Sequence, residues 1–178
     1  MKKIFVFIWE TFKIVVISLA IIIPVRYFLI QPFFVRGASM KPNFDNGQYL
    51  VINEIGYRFD EPQRKEVIVF KYPLDPSQYY IKRIIGLPGE IVEIKNNQVI
   101  IYNLEFPRGR ILDESSYLPA GTITWGETKI KLAKDEYFVL GDNRQASSDS
   151  RQWGILPKKN IIGRVWLRAW PFDQLTIF

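Results

Sequence analysis

Neither cysteine nor histidine occurs anywhere in the 178 residues. Without thiols there is no disulfide scaffold, zinc–thiolate site, iron–sulfur cluster or cysteine nucleophile. Without imidazole there is no Ser-His-Asp triad, no HExxH zinc protease and hardly any transition-metal site. No metal or organic cofactor is expected, the latter on the resemblance given below. Hydrolytic chemistry falls to carboxylates, or to a serine or threonine served by a lysine. Also missing is any run of five or more Lys/Arg. The 24 basic and 18 acidic residues, net +6, thus read as a biased soluble surface or as a face for an anionic partner. Apolar residues make up 48% of the chain, ample for one domain core.

The first 35 residues differ from the rest. Ile14–Ile23 is apolar all round except for Ser18, which argues against an amphipathic soluble helix. No small-x-small cleavage site follows in Pro24–Gln31, which argues against a removed leader. An uncleaved membrane anchor remains. Counting from Ile14 to Ile30, with Arg26 reaching towards headgroups, gives 17 residues, the lower end of a spanning length. Lysines and arginines flank both ends, so orientation is not readable from charge. The expected division is an anchor with its tip at 1–31 and a β-rich domain at 32–178.

From Gln48 onward, short β-rich runs alternate with turns: 48–53, 66–72, 79–85, 90–95, 98–102, 127–132, 136–140 and 162–168. Asn96-Asn97 fits a two-residue hairpin turn, and Leu87-Pro88-Gly89 is a turn signal. The expected fold is all-β, a mostly antiparallel barrel or sandwich behind one N-terminal transmembrane helix. Residues 108–121, polar and broken by Gly109, Pro119 and Gly121, read as a long surface loop or a small mobile insertion.

Three stretches could carry chemistry. In Gly37-Ala38-Ser39-Met40-Lys41-Pro42, a bend could present Ser39 with its own N–H free; by itself the hexapeptide reads first as a plain Gly/Pro turn. In the apolar strand around Tyr80-Ile81-Lys82-Arg83, two cations need explaining. Arg83 stays charged and requires a carboxylate. Lys82, if buried, loses its proton more easily and becomes a base for a hydroxyl nucleophile; a lysine snorkelling from a sheet edge explains it equally well. Gly141–Gly154 is dense in Asp, Asn, Ser and Arg, as in an Asx/Ser-rich turn; Arg144 and Arg151 oppose a calcium loop.

Taken together these stretches resemble the bacterial type I signal peptidases, membrane-anchored serine–lysine proteases that remove signal peptides from exported proteins. The likeness rests on the anchor, Gly-x-Ser-Met-x-Pro at 37–42, Tyr-x-Lys-Arg-Ile-Ile-Gly-Leu-Pro-Gly at 80–89, and Gly-Asp-Asn-Arg-x-x-Ser-x-Asp-Ser-Arg-x-Trp-Gly at 141–154. It implies Ser39 as nucleophile, Lys82 as general base and Ser147 as the hydroxyl orienting Lys82. Asp142 would pair Arg83, while Asp149 with Arg151 would buttress the loop. Gly37 stands where some relatives carry an oxyanion serine, leaving the Ser39 N–H and a second, unidentified backbone donor. The resemblance lines the substrate pockets with Phe34, Val35, Met40, Phe44, Tyr80 and Ile81. Asn43-Phe44 replaces the more usual Thr-Leu, and Phe44 would be the bulkier wall.

The implied partners are signal peptides of preproteins, membrane lipid and the export machinery, with no nucleic acid, since base-reading clusters and regular aromatic platforms are missing. The implied location is the plasma membrane, single-pass, with the catalytic domain extracytoplasmic. Two other readings remain at this point. One is a Ser–Lys peptidase with a specialised client. The other is a non-enzymatic anchored β-domain that binds an anionic partner.

Overall fold

A computed structural model of the chain describes residues 2–28 and 30–178. The apolar N-terminal run forms one helix, α1 (Lys2–Phe28), which continues through Pro24. Its stretch from Lys3 to Ile23, 21 residues, is long and apolar enough to cross a membrane and buries nothing against the rest of the chain. At about 1.5 Å per residue this is about 32 Å, against a hydrocarbon core of about 30 Å. The apolar span thus starts earlier than Ile14. Glu10 and Lys13 lie within it and pair with each other at 2.8 Å one helical turn apart.

Among the described residues twelve strands follow, and all their pairings are antiparallel: β1 (Ile30–Phe34), β2 (Tyr49–Asn53), β3 (Val67–Tyr72), β4 (Asp75–Gly86), β5 (Ile91–Lys95), β6 (Gln98–Tyr102), β7 (Arg110–Ile111), β8 (Thr128–Lys131), β9 (Glu136–Leu140), β10 (Leu156–Pro157), β11 (Ile161–Trp170) and β12 (Thr176–Ile177). One turn of helix, α2 (Ser150–Trp153), is capped by the Asp149 carboxylate. The large sheet runs β1-β2-β11-β3-β4-β9-β10, with β12 on β11; the small sheet runs β7-β6-β5-β8. The architecture is therefore mostly antiparallel β behind an apolar helix, as expected. Asn96 and Asn97 adopt φ of +51° and +63°, the left-handed pair that a two-residue hairpin requires.

Two expectations need correction. The domain boundary placed at 31/32 falls inside β1, whose pairing with β2 begins at Ile30. Pro32 is tolerated there because β1 is an edge strand, where a missing N–H costs no ladder bond on the outer side. The segment 108–121 is not simply a surface loop. Tyr117 and Leu118 are buried in the same core cluster as Ile85, Val92, Phe138 and Leu140. The segment is held from below by Arg144, which donates to the Glu114 carboxylate at 2.5 Å and to Gly141 O at 3.0 Å.

Strand β4 organises the molecule. It pairs with β3 from Tyr79 to Arg83 and with β9 from Arg83 to Gly86, so residues 82–86 are enclosed while 76–79 stay open. Side-chain alternation sends Ile84 into the cluster of Ile68, Phe70 and Val139, and Ile85 into that of Val92 and Phe138. One strand thus joins two cores, and Lys82 and Arg83 enter at the point where both close.

Candidate active site

The segment between β1 and β2 turns sharply at Gly37, whose φ of +94° is accessible to glycine at little cost. The Gly37 N–H donates to Asn46 Oδ1 at 2.9 Å. Two bonds from Asn143 hold the next residues: its backbone N–H donates to Ser39 O at 3.0 Å, and its side-chain amide to Ala38 O at 3.1 Å. The bend therefore has both carbonyls tied down, and among the described residues the Ser39 N–H has no acceptor. Gly141 passes close behind. A Cβ on it would come within 2.5 Å of Ser39 O and collide with the Ser147 hydroxyl.

Into this bend reaches Lys82 from β4. Its amine lies 2.8 Å from Ser39 Oγ and donates to Ile81 O at 2.9 Å. Only 4% of the residue is exposed. Burial lowers its pKa from 10.5 to about 8, against the opposing pull of the Asp149 and Asp142 carboxylates. The Tyr80 ring, 5.2 Å from Nζ, faces the same amine. The pair can therefore exchange a proton near neutral pH, as a nucleophilic hydroxyl and its base must.

Around the pair, the buried aspartates and arginines are matched. Asp142 accepts from Arg83 Nε at 2.8 Å and Nη2 at 2.6 Å, a two-pronged bond that leaves the buried guanidinium compensated. Asn43 donates to Asp142 Oδ2 and to Tyr117 O, each at 2.7 Å, joining the serine-bearing segment to 108–121. Asp149, fully buried, accepts from Arg151 Nε and Nη2 at 2.8 Å each and from the Gly141 N–H at 3.1 Å.

The serine opens onto a groove of about 710 Å³ with residues 33–38 on one wall and 77–82 on the other. Phe33 and Tyr79 meet across it, ring centroids 5.7 Å apart. Of the expected pocket residues, Phe34, Val35, Tyr80 and Ile81 line the groove. Met40 and Phe44 do not. Both point inward, 1% and 0% exposed, into the cluster of Leu50, Ile52 and Val165, and the Phe44 ring packs on Phe178 at 4.9 Å. Alternation gave no means of telling a wall residue from a core residue one layer deeper.

Ser147 also departs from expectation. Its hydroxyl is buried beside Gly141 with no hydrogen-bond partner among the described residues, so it is not bonded to Lys82, which Ile81 O holds instead. Asn143, Asn43, Asn46 and Arg144 were not singled out from sequence for any site role. Asn143 and Arg144 lie inside the 141–154 stretch, where their Asx and guanidinium chemistry was a visible signal. Among the described residues no group of three or more Asp/Glu could hold a metal ion.

Comparison with known proteins adds independent information. The profile of the family described as "Signal peptidase, peptidase S26" matches residues 8–170. Signal peptidase I of Leptolyngbya laminosa is 34% identical over 174 residues, covering 93% of this chain and 81% of the relative. Signal peptidase I P of Bacillus subtilis subsp. natto is 34% identical over 166 residues, covering 92% and 89%. A crystal structure of a signal peptidase I from Enterococcus faecalis aligns with a TM-score of 0.48 at 29% identity, over 60% of this chain and 97% of that one.

Proposed function

The chain belongs to the signal peptidase family, peptidase S26, and from that premise we propose that Ser39 and Lys82 are the dyad with which it cuts signal peptides from precursor proteins. It is a serine peptidase of that family. What carries the assignment of the dyad is a single observation, the buried Lys82 amine 2.8 Å from Ser39 Oγ.

The substrate lies extended in the groove as an added strand. Two free strand edges support this. β1 is the outer strand of the large sheet, and β4 has no partner opposite β3 before Arg83. Val35 turns its own N–H and C=O to Gln48 and Gly47, so Phe34 and Arg36 are the residues whose backbone faces outward. Lys82 takes the Ser39 proton as Oγ adds to the scissile carbonyl. The oxyanion meets the free Ser39 N–H. Lys82 then returns the proton to the departing amine, leaving an ester on Ser39. Water, deprotonated by the same amine, attacks the ester, and the proton passes back to Ser39 Oγ as the acid product leaves. Small side chains fit the shallow pocket over Val35 and Ile81.

Helix α1 holds this groove at a membrane surface, with lipid around it, the groove on the extracytoplasmic face, and substrates delivered by the export machinery. Confinement raises the effective concentration of a substrate whose own apolar segment sits in the same bilayer.

The test is to incubate the detergent-solubilised chain with a preprotein and sequence the new N-terminus. Cleavage at one junction is expected, with no product from Ser39→Ala or Lys82→Ala and an unchanged circular dichroism spectrum for both. Ordinary turnover by Lys82→Ala would remove the amine from the mechanism.

A further inference from the structure

We propose that Arg36 is a specificity-determining residue, selecting precursor polypeptides that carry an acidic side chain close to the scissile bond. The proposal rests on the peptidase reading of the Ser39–Lys82 groove and adds a charge preference to it.

Arg36 lines the groove three residues before Ser39, and its side chain is exposed. Among the described residues, no Asp or Glu lines the groove, and its only other cation is Lys82. Lys82 acts in its uncharged form, so Arg36 supplies the one permanent charge. Its guanidinium has no hydrogen bond or ion pair among the described residues. By contrast, nearby Lys41 is paired with Asp45 at 3.4 Å, and the deeper cations Arg83 and Arg151 have their own carboxylates.

The backbone supplies the placement. Val35 is 5% exposed and packs on the groove floor, so alternation leaves the Arg36 side chain on the solvent side of the groove wall, at its rim. A strand added along this edge runs past Arg36 immediately before its carbonyl reaches Ser39. Substrate side chains flanking the bond therefore pass the guanidinium. A carboxylate there gains a charge-assisted bond to a fork of donors that nothing else occupies, and an ammonium is repelled. The contact is solvent-accessible, which limits it to a few-fold per charge and makes it sensitive to salt.

The test is a peptide series with Glu, Gln or Lys placed singly at each position flanking the cleaved bond, assayed with the full chain in neutral detergent. At one or more positions the wild type should prefer Glu to Lys by about 3–10-fold in kcat/KM. The ratio should shrink when ionic strength rises from about 0.1 M to about 1 M. It should fall to near unity in Arg36→Gln and reverse in Arg36→Glu. Each enzyme's ratio is internal to that enzyme, so a general loss of activity does not affect the readout, and Arg36→Gln decides if Arg36→Glu does not fold. Equal rates for all three residues at every position would overturn the inference alone. So would a preference that survives both substitutions. Loss of binding to anionic vesicles in Arg36→Glu, at an unchanged Glu/Lys ratio, would assign the guanidinium to lipid and overturn it too. Failure of the wild type to cleave any peptide would overturn the peptidase reading, and this inference with it.

Discussion

Lys82 is held in the folded chain under conditions that disfavour its proton. A pKa of about 8 against the ordinary 10.5 means that the charged form costs about 3 kcal/mol more in the fold than in water. That cost is fully present below pH 8, declines as pH rises, and is gone above 10.5, because in between the unfolded chain binds the extra proton. Activity has the same sign: the uncharged amine is the base, so kcat/KM should fall about tenfold per pH unit below about 8. A stopped assay across pH 4 to 10 checks this; a rate still rising towards pH 4 would point to a carboxylate instead. The residue types of this site were readable from sequence, because a lysine in an apolar strand and a serine in a Gly/Pro bend each demand an explanation. Their meeting was not, since the two are 43 positions apart and no local pattern records a contact of that range. Nor could sequence show that Ser147 makes no bond to Lys82, which depends on a hydroxyl's direction.

Local rules succeeded for elements whose partner lies next door. The β5–β6 hairpin announces itself by alternation and by two asparagines able to adopt positive φ. They failed for β1, where Pro32 and continuity with the apolar run hid a strand that is defined only by β2 across 15 or more residues. They failed again at 108–121, whose docking depends on Tyr117, Leu118 and a distant Arg144. Close approach at two glycines separates stability from catalysis at this scale. Gly86→Ala would drive a methyl into Val92, Leu132 and Phe138 between the two sheets, with nothing of the Ser39 bend among its nearest neighbours. It should cost about 1–3 kcal/mol in urea unfolding, as overpacked cores do. Gly141→Ala pushes on Ser39 O itself. Its expected effect is a loss of about 10²-fold in kcat, since a nucleophile displaced by about 1 Å loses most of its alignment. Equal kcat losses in the two variants would show that the loop behind Ser39 is not what positions it.

For the molecule as a whole, the anchor and the β-region divide the work. Residues 3–23 bury nothing in the sheets, so their removal exposes no core. A chain lacking residues 3–23 should keep its β-sheet circular dichroism and cleave a soluble peptide at close to the full-length rate. On a preprotein embedded in vesicles it should be slower by about 10²-fold, the scale set by losing confinement. Similar losses on both substrates would mean that α1 supports the groove directly rather than through the membrane.

The chemistry depends most on the protonation of one amine. Titrating the lysine side chains by ¹³C NMR, with Lys82→Met to assign the missing resonance, measures it without reference to turnover. One lysine should titrate near pH 8 and vanish in that variant. A Lys82 resonance titrating with the other lysines, at about 10.4, would rule out an uncharged Lys82 as the base.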